Sequence, residues 1–213
     1  GFLIALDVVG VDFGFLLVFA GALGVGIGLG LQNMAANLIS SFAIIFGGKV
    51  RKGDWIEVEG TPGEVIDIHA LSTRIRTRQN VEYLFPNSSL MSTTIVNYSL
   101  SSPMIWSGLD VGVSYGSDPR QVETILLEAA RREPMVSKGQ SPRVLFTEFA
   151  DSSLNFKLLV WIDVRRYAER VVKSALYFAI FDEFKKAGIE IPFPQRDIHI
   201  RTPQSAGSSA VQV

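Results

Sequence analysis

The side chains that most often carry catalysis are few in this chain, and their spacing does not fit catalysis. The two histidines, His69 and His199, are far apart in sequence, and neither stands at the spacing of a metal ligand. The adjacent serines Ser88 and Ser89 lack the G-x-S-x-G context of a hydrolase nucleophile. The chain has no cysteine, which excludes disulfides and cysteine–zinc sites. We therefore expect structural histidines, no catalytic or metal-binding residue, no cofactor and no enzymatic activity.

Three arginines share one face of a predicted strand. In STRIRTR, residues 72–78, threonine and isoleucine alternate with three guanidinium groups, those of Arg74, Arg76 and Arg78. Such a row can be a solvated strand face, part of an intersubunit ion pair, or a charged lining that biases which ions enter a vestibule. The whole chain has 20 basic and 21 acidic residues, a net charge of -1. Nucleic-acid binding is not expected, because it needs a strong basic excess.

The most unusual feature is an uncharged run that contains five glycines: Gly21, Gly24, Gly26, Gly28 and Gly30. Residues 13–48 include no Asp, Glu, Lys or Arg, whereas charges recur every few residues from Lys49 onward. Residues 13–31 are apolar all round and have the length of one transmembrane helix. We therefore expect a membrane segment joined to a soluble part.

The uncharged run is too long for one straight span. As a helix it would extend about 54 Å, against roughly 30 Å of hydrocarbon. Gln32 and Asn33 place two amides in succession, which is costly in lipid, and the residues after them have an amphipathic pattern. A polar face of Asn33, Asn37, Ser40 and Ser41 lies opposite an apolar face of Met34, Leu38, Phe42 and Ile45. We predict a bend at residues 32–34 followed by an amphipathic helix.

The glycines fall on both sides of one helix face. At 100° per residue, Val25 and Leu29 share a face that is flanked by Gly24 and Gly28 on one side and by Gly26 and Gly30 on the other. Small residues on two flanks allow close helix contacts on both sides, as in a closed ring whose apolar lumen gates by dewetting. The alternative is a tightly packed helix inside a transporter or enzyme bundle. A dinucleotide-binding loop is not expected, because the G-x-G-x-x-G spacing is absent here.

These segments together resemble a known family. The run VGVDFGFLLVFAGALGVGIGLGLQNMAANLISSFAIIF, followed by VRKGDWIEVEGTPGEV, YLFPNSSL and NYS, is similar to the small-conductance mechanosensitive channel (MscS-like) family. The resemblance extends from Gly10 to about Arg201. It implies a homoheptamer whose last transmembrane helix lines the pore and bends just after Gln32, with a paired hydrophobic constriction at Val25 and Leu29.

The resemblance also identifies residues that join the pore helix to the soluble domains. Asn37 belongs to the family motif after the glutamine, which includes an asparagine four to five residues on. Two positions depart from the family pattern. Asn33 stands where the family often has glycine, and the link FGGKVRKGD lacks the usual proline, which favours a looser hinge at Gly47 and Gly48.

The soluble part divides by pattern into two domains. In the domain of residues 49–103, residues 54 to about 97 read as short strands in DWIEVEG, GEVIDIHA, STRIRTR and VEYLFP, with turns at Thr61-Pro62-Gly63 and Gln79-Asn80. The resemblance adds a Pro-Asn before a polar strand. This pattern predicts a small β-barrel, and the resemblance implies an Sm-like one. Residues 104–190 read as strand, helix, strand, strand, helix, strand, which predicts a ferredoxin-like α+β domain.

The boundaries of the helices and of the remaining segments follow from similar signals. Asp118 before Pro119 predicts the start of one helix, and Gly188 predicts the end of a second helix over about 168–187. Residues 191–201 are expected, by resemblance, to form a strand of a barrel shared by all subunits. Residues 202–213 are expected to be disordered, and residues 1–12 to be the end of a preceding transmembrane helix and a turn.

Charges beside the span predict its orientation. Lys49, Arg51 and Lys52 follow the apolar run, while the preceding turn carries Asp12 and no base. The positive-inside rule therefore places the soluble domains in the cytoplasm of a multi-pass protein of the inner membrane. The same three basic residues can contact anionic lipid headgroups or can be ordinary solvated linker charges.

Two functions remain open from the sequence. The first is a channel opened by membrane tension, which releases ions and small osmolytes under hypoosmotic stress. The second is a membrane-tethered oligomeric protein whose soluble domains bind a ligand or RNA. In the first case the expected partners are membrane lipids, identical subunits and the permeating solutes.

Overall fold

The computed structural model describes residues 14–196, and these form two compact units. The first unit contains the described residues up to Ile105 together with Ile162–Val172, and the second contains Trp106–Trp161 and the described residues from Lys173 onward. The expectations for residues 1–12, His199 and residues 202–213 lie outside the described residues. Residues 191–196 of the predicted C-terminal strand are described, and they form no strand.

The N-terminal helix α1 spans Gly14–Gly47 without interruption. Among the described residues it is the one helix that is long and apolar enough to cross a membrane. Helical structure continues through Gln32 and Asn33, and since helices can bend without losing their hydrogen bonds, the bend stays a prediction. The helix ends where Gly48 adopts a φ of +61° and its N–H donates to the Ile44 carbonyl at 3.2 Å.

The first unit contains a five-stranded antiparallel sheet, which we call the β domain. Its strands pair in the order β4-β3-β2-β1-β5. Their bounds are β1 Trp55–Val58, β2 Thr61–Ile68, β3 Ser72–Arg76, β4 Glu82–Pro86 and β5 Ile95–Asn97, and a short helix, α2, spans Asn87–Ser92 between β4 and β5. The core is formed by alternate apolar residues of the strands, with Leu90 from α2 and Ile44 from α1.

Two local predictions in the β domain are wrong. The turn between β1 and β2 lies at Glu59 and Gly60, which both have positive φ, and not at Thr61-Pro62-Gly63. Gly63 instead lies inside β2. The position needs glycine because an added Cβ would approach the Ile75 Cγ2 to 2.6 Å and the Arg76 carbonyl oxygen to 2.8 Å. The Pro-Asn pair begins α2 and does not precede a strand: Pro86 is the N-cap, and Asn87, whose side chain is buried, is the first residue of the helix.

The second unit is an α+β domain, which confirms the predicted fold class, but the last of the six predicted elements, a strand after the second helix, is absent from the described residues. Its elements, three of which have ends in the first unit, are β6 Met104–Val113, helix α3 Pro119–Arg132, β7 Arg143–Phe149, β8 Leu154–Asp163 and helix α4 Glu169–Ala187, and the strands pair in the order β6-β8-β7. As the sequence predicts, the Asp118 side chain caps α3 by accepting from the Arg120 N–H, and Gly188 follows the end of α4 with a φ of +68°.

Candidate pore helix and its junction with the β domain

The two sequence-predicted pore residues lie on an uncovered part of α1. Every residue from 14 to 36 is exposed, including Val25 at 64% and Leu29 at 67%. On the opposite face, Ile27 is 60% exposed and Leu31 is 52% exposed. Exposure within one chain therefore does not distinguish the proposed pore face from the back of the helix.

The glycine flanks of α1 are equally open. Apart from the helix's own backbone and the neighbouring residues, no described heavy atom lies within 4 Å of a Cβ added at any of five glycines. These are Gly21, Gly24, Gly26, Gly28 and Gly30. Nothing in the described part of the chain fills the space beside them. These surfaces are therefore available for close contact with other helices, which is the use that membrane helices make of small residues.

The second half of α1 docks on the β domain through its polar face. The Asn37 Oδ1 accepts from the Ser88 N–H at 2.9 Å, and its Nδ2 donates to the Asn33 carbonyl one turn earlier at 2.9 Å. Ser41 and Ile44 continue this face and are buried, at 4% and 3% exposure. Asn33 itself is exposed, although the sequence pattern places it on the same polar face.

Helix α2 is held in place by Asn87, a residue whose role the sequence did not indicate. Its side chain is fully buried, accepts from the Thr73 hydroxyl at 2.8 Å and donates to the His69 carbonyl at 2.9 Å. Its N–H donates to the Leu71 carbonyl at 3.1 Å. These bonds fix the start of α2 to the β2–β3 turn, so that Ser88 offers Asn37 a rigid N–H donor.

The link after α1 is fixed by a second buried polar group, Asp54, which is 4% exposed. Its Oδ2 accepts from the Arg51 N–H at 2.9 Å and from Asn97 Nδ2 at 2.9 Å, and its Oδ1 accepts from Arg165 Nη2 at 3.1 Å. Asn97 Nδ2 also donates to the Lys49 carbonyl at 3.1 Å. We call these residues the Asp54 junction. It fixes the backbone that follows Gly47 and Gly48, through the Lys49 carbonyl and the Arg51 N–H.

The basic residues of the link are accessible, although the Arg51 guanidinium lies beside Gly48, where its Nη2 would be 3.3 Å from an added Cβ. Lys49, Arg51 and Lys52 are exposed, and none of them forms an ion pair with another residue in the range 14–196. Their backbone is held by the Asp54 junction while their charges stay accessible. Contact with lipid headgroups therefore stays a prediction.

The three arginines of the β3 region have different environments. Arg76 Nη2 lies 2.7 Å from Glu82 Oε1, and Arg74 Nη1 lies 3.6 Å from Glu82 Oε2. The hydrogen bond from Arg76, together with the two positive charges, lowers the pKa of Glu82 below its usual range. Arg78 follows the end of β3 and is described separately below. The predicted row of three guanidinium groups on one strand is thus reduced to a pair, Arg74 and Arg76, that shares one carboxylate.

Of the residues considered for catalysis, the structure describes His69, Ser88 and Ser89. His69 is an exposed surface residue whose Nε2 lies 3.9 Å from Asp67 Oδ2. Within residues 14–196, no group of three His, Asp or Glu side chains is arranged to bind a metal ion. The backbone N–H of Ser88 and the carbonyl of Ser89 serve the contacts of α2.

Two family models match this chain. The model described as "Mechanosensitive ion channel, beta-domain" matches residues 33–100, and the model described as "Mechanosensitive ion channel MscS, C-terminal" matches residues 108–191. An uncharacterized MscS family protein of Archaeoglobus fulgidus is 32% identical over 195 residues, which are 92% of this chain and 68% of that protein. The mechanosensitive channel MscK of Escherichia coli is 32% identical over 191 residues, which are 90% of this chain and 17% of MscK.

A solved structure shows the same fold. The closed-state crystal structure of Helicobacter pylori MscS matches with a TM-score of 0.76 and 28% sequence identity, over 93% of this chain and 78% of that one. The arrangement of an apolar helix, a β domain and a C-terminal α+β domain is thus an MscS-like fold. On the family models, the relatives and this structure together, the chain belongs to the MscS family of mechanosensitive ion channels.

Proposed function

We propose that copies of α1 form a closed ring around a pore that membrane tension opens, in a homoheptamer that releases ions and small osmolytes under hypoosmotic stress. The observation that carries this proposal is the uncovered, uncharged length of α1 with open glycine flanks on both sides of Val25 and Leu29. A lone helix with this surface needs close helical neighbours in the membrane. Membership of the channel family supports identical subunits as those neighbours.

In this proposal, Val25 and Leu29 form the constriction. Two rings of apolar side chains, one helical turn apart, exclude water and close the pore without a physical plug. Tension favours the state with the larger in-plane area, since a stimulus shifts an equilibrium only through a difference between the two states. The glycine flanks allow neighbouring helices to slide and tilt during that expansion without side-chain clashes.

The docked half of α1 provides a fixed point for this movement. Asn37 attaches the helix to α2, and the Asp54 junction holds the link that follows Gly48. We therefore place the moving part of α1 before Asn37, with its bend at Gln32 and Asn33. The soluble domains are cytoplasmic in this proposal, the β domain is Sm-like, and Lys49, Arg51 and Lys52 lie close enough to the inner membrane surface to contact anionic lipids.

Patch recording from liposomes that contain the full-length protein tests this function. Stepped suction should open discrete conductances at tensions below membrane rupture. A verified oligomer that stays silent at every tension up to rupture would instead support a membrane-tethered binding protein, the second function that the sequence leaves open.

A further inference from the structure

The first unit contains a cavity that the channel function does not use. Its volume is about 340 Å³, at the lower end of the range of small-molecule sites. The lining is mostly apolar, with the aromatic side chains of Trp55 and Tyr98 and the aliphatic side chains of Pro62, Ile105 and Val164. Arg78 and Arg170 also line the cavity. We call it the Arg78–Arg170 cavity.

Arg78 is held rigidly at this wall. Its guanidinium carbon lies 4.2 Å from the centroid of the Trp55 ring, and its Nη2 donates to the carbonyls of Val164 and Tyr167, the latter at 2.8 Å. One nitrogen of the fork is therefore committed to the protein. An arginine has five N–H donors, so the other nitrogens retain donors for a ligand.

Arg170 is the uncommitted cation of the cavity. It is exposed, and its side chain forms no hydrogen bond or ion pair with another residue in the range 14–196. The two positive charges repel each other: burial lowers the pKa of Arg78, and the charge of Arg170 lowers it further, against the opposing attraction of Asp163 and Glu64. An anion placed between the two guanidinium groups would relieve this repulsion.

The carboxylates in the lining do not remove the need for an anion. The Glu57 Oε2 accepts from the Tyr98 hydroxyl at 2.7 Å, a bond that raises the pKa of Tyr98. Glu169 also lines the cavity and has an interaction partner of its own. Both acidic groups are engaged, whereas Arg170 is not.

We propose that the Arg78–Arg170 cavity binds a small organic anion, with its carboxylate or phosphate at the two guanidinium groups and an apolar or aromatic body against Trp55 and Tyr98. Such a ligand would join the turn after β3 to the first turn of α4, because Arg78 and Arg170 belong to these two segments. The site goes beyond the channel activity and does not rest on it.

The test uses two anions and a neutral molecule that share one ring. Benzoate, phenyl phosphate and benzyl alcohol are titrated into the full-length protein in nanodiscs, and saturation-transfer NMR of the ligand protons reports binding. The main variant is Arg170→Gln, because Arg170 has no structural contact to lose. Arg78→Gln is less informative, since it also removes the bonds to Val164 and Tyr167. Arg166→Gln is the matched control, an arginine 76% exposed at its side chain and outside the lining.

We expect saturable binding of benzoate, phenyl phosphate or both, weakened at least about tenfold by Arg170→Gln and within about twofold of the parent in Arg166→Gln. Binding of one anion only identifies whether a carboxylate or a phosphate is preferred. The proposal is overturned if neither anion binds saturably, if benzyl alcohol binds as tightly as the anions, or if Arg170→Gln leaves their affinity unchanged. None of these outcomes depends on whether the protein conducts ions.

Discussion

The substitution Asp54→Asn should destabilise the first unit more than any other single charge removal we consider. Asp54 is buried and accepts three hydrogen bonds, from the Arg51 N–H, Asn97 Nδ2 and Arg165 Nη2. An asparagine places an NH₂ group at one of the two oxygen positions. In one rotamer it faces the donors of Arg51 and Asn97, and in the other it faces Arg165, so donors meet donors in both.

The magnitude follows from these contacts. A hydrogen bond to a charged group contributes about 1.5–3 kcal/mol, and a buried donor left unpaired costs a similar amount. We therefore expect a loss of about 3 kcal/mol in the free energy of unfolding of the first unit. The first unit is intermediate in size between domains of 60–100 residues, which shift by about 4–8 °C per kcal/mol, and domains of 150–250 residues, which shift by about 2–4 °C per kcal/mol. At about 4 °C per kcal/mol, the melting temperature should fall by about 12 °C.

Thermal unfolding of the detergent-solubilised protein, followed by tryptophan fluorescence, measures this effect, because Trp55 follows Asp54 in the chain and is buried in the first unit. Asp67→Asn is the matched control. Asp67 lies in the same sheet, 41% exposed at its side chain, and should shift the melting temperature by less than about 2 °C. A melting temperature for Asp54→Asn within that same margin of the parent would refute the role of the junction.

Three further predictions concern the pore helix and the β domain. Asn37→Ala removes the acceptor of the Ser88 N–H. Hydrogen exchange of the Ser88 amide should accelerate about fivefold, because the lost hydrogen bond contributes about 1 kcal/mol. An unchanged exchange rate would contradict the docking contact. Gly28→Leu should raise the tension threshold or prevent assembly, and normal oligomers with the parent threshold would argue against two-sided packing. Arg76 lowers the pKa of Glu82, so ionised Glu82 stabilises the folded β domain at pH values above the usual carboxyl range, and this stabilisation is lost as the pH falls through the lowered pKa. The melting temperatures of the parent and Glu82→Gln should therefore differ at neutral pH and converge in acid. A difference that is constant with pH would contradict this.

The parts of the fold that sequence alone predicts are those set by short-range signals. The uncharged run gives α1, the Asp118–Pro119 pair gives the start of α3, and Gly188 gives the end of α4. The signals at Asp118–Pro119 and Gly188 act over a few residues through hydrogen bonding or backbone conformation, whereas the uncharged run acts through the apolar character of its whole length.

The features that sequence reasoning missed depend on partners far along the chain. By sequence Asn87 stands before an expected polar strand, whereas in the structure it bonds to Thr73 and the His69 carbonyl and begins a helix. Arg78 belongs to a row of three by spacing, yet its partners are carbonyls at positions 164 and 167. The arginine that completes the Asp54 junction is likewise remote in sequence, and no local pattern identifies it.

The central claim is that the Val25/Leu29 face of α1 lines a pore and closes it by excluding water. It is tested most directly by the current at resting tension in patches that contain Leu29→Asn or Leu31→Asn. Leu29→Asn supplies a donor and an acceptor from every subunit at similar side-chain volume, so the constriction should become wet, and the channel should leak or open at lower tension. Leu31, about 160° from Leu29 around the helix, should give no leak when changed in the same way. An assembled Leu29→Asn channel with the parent's resting tightness and threshold, or a leak from Leu31→Asn alone, would contradict the claim.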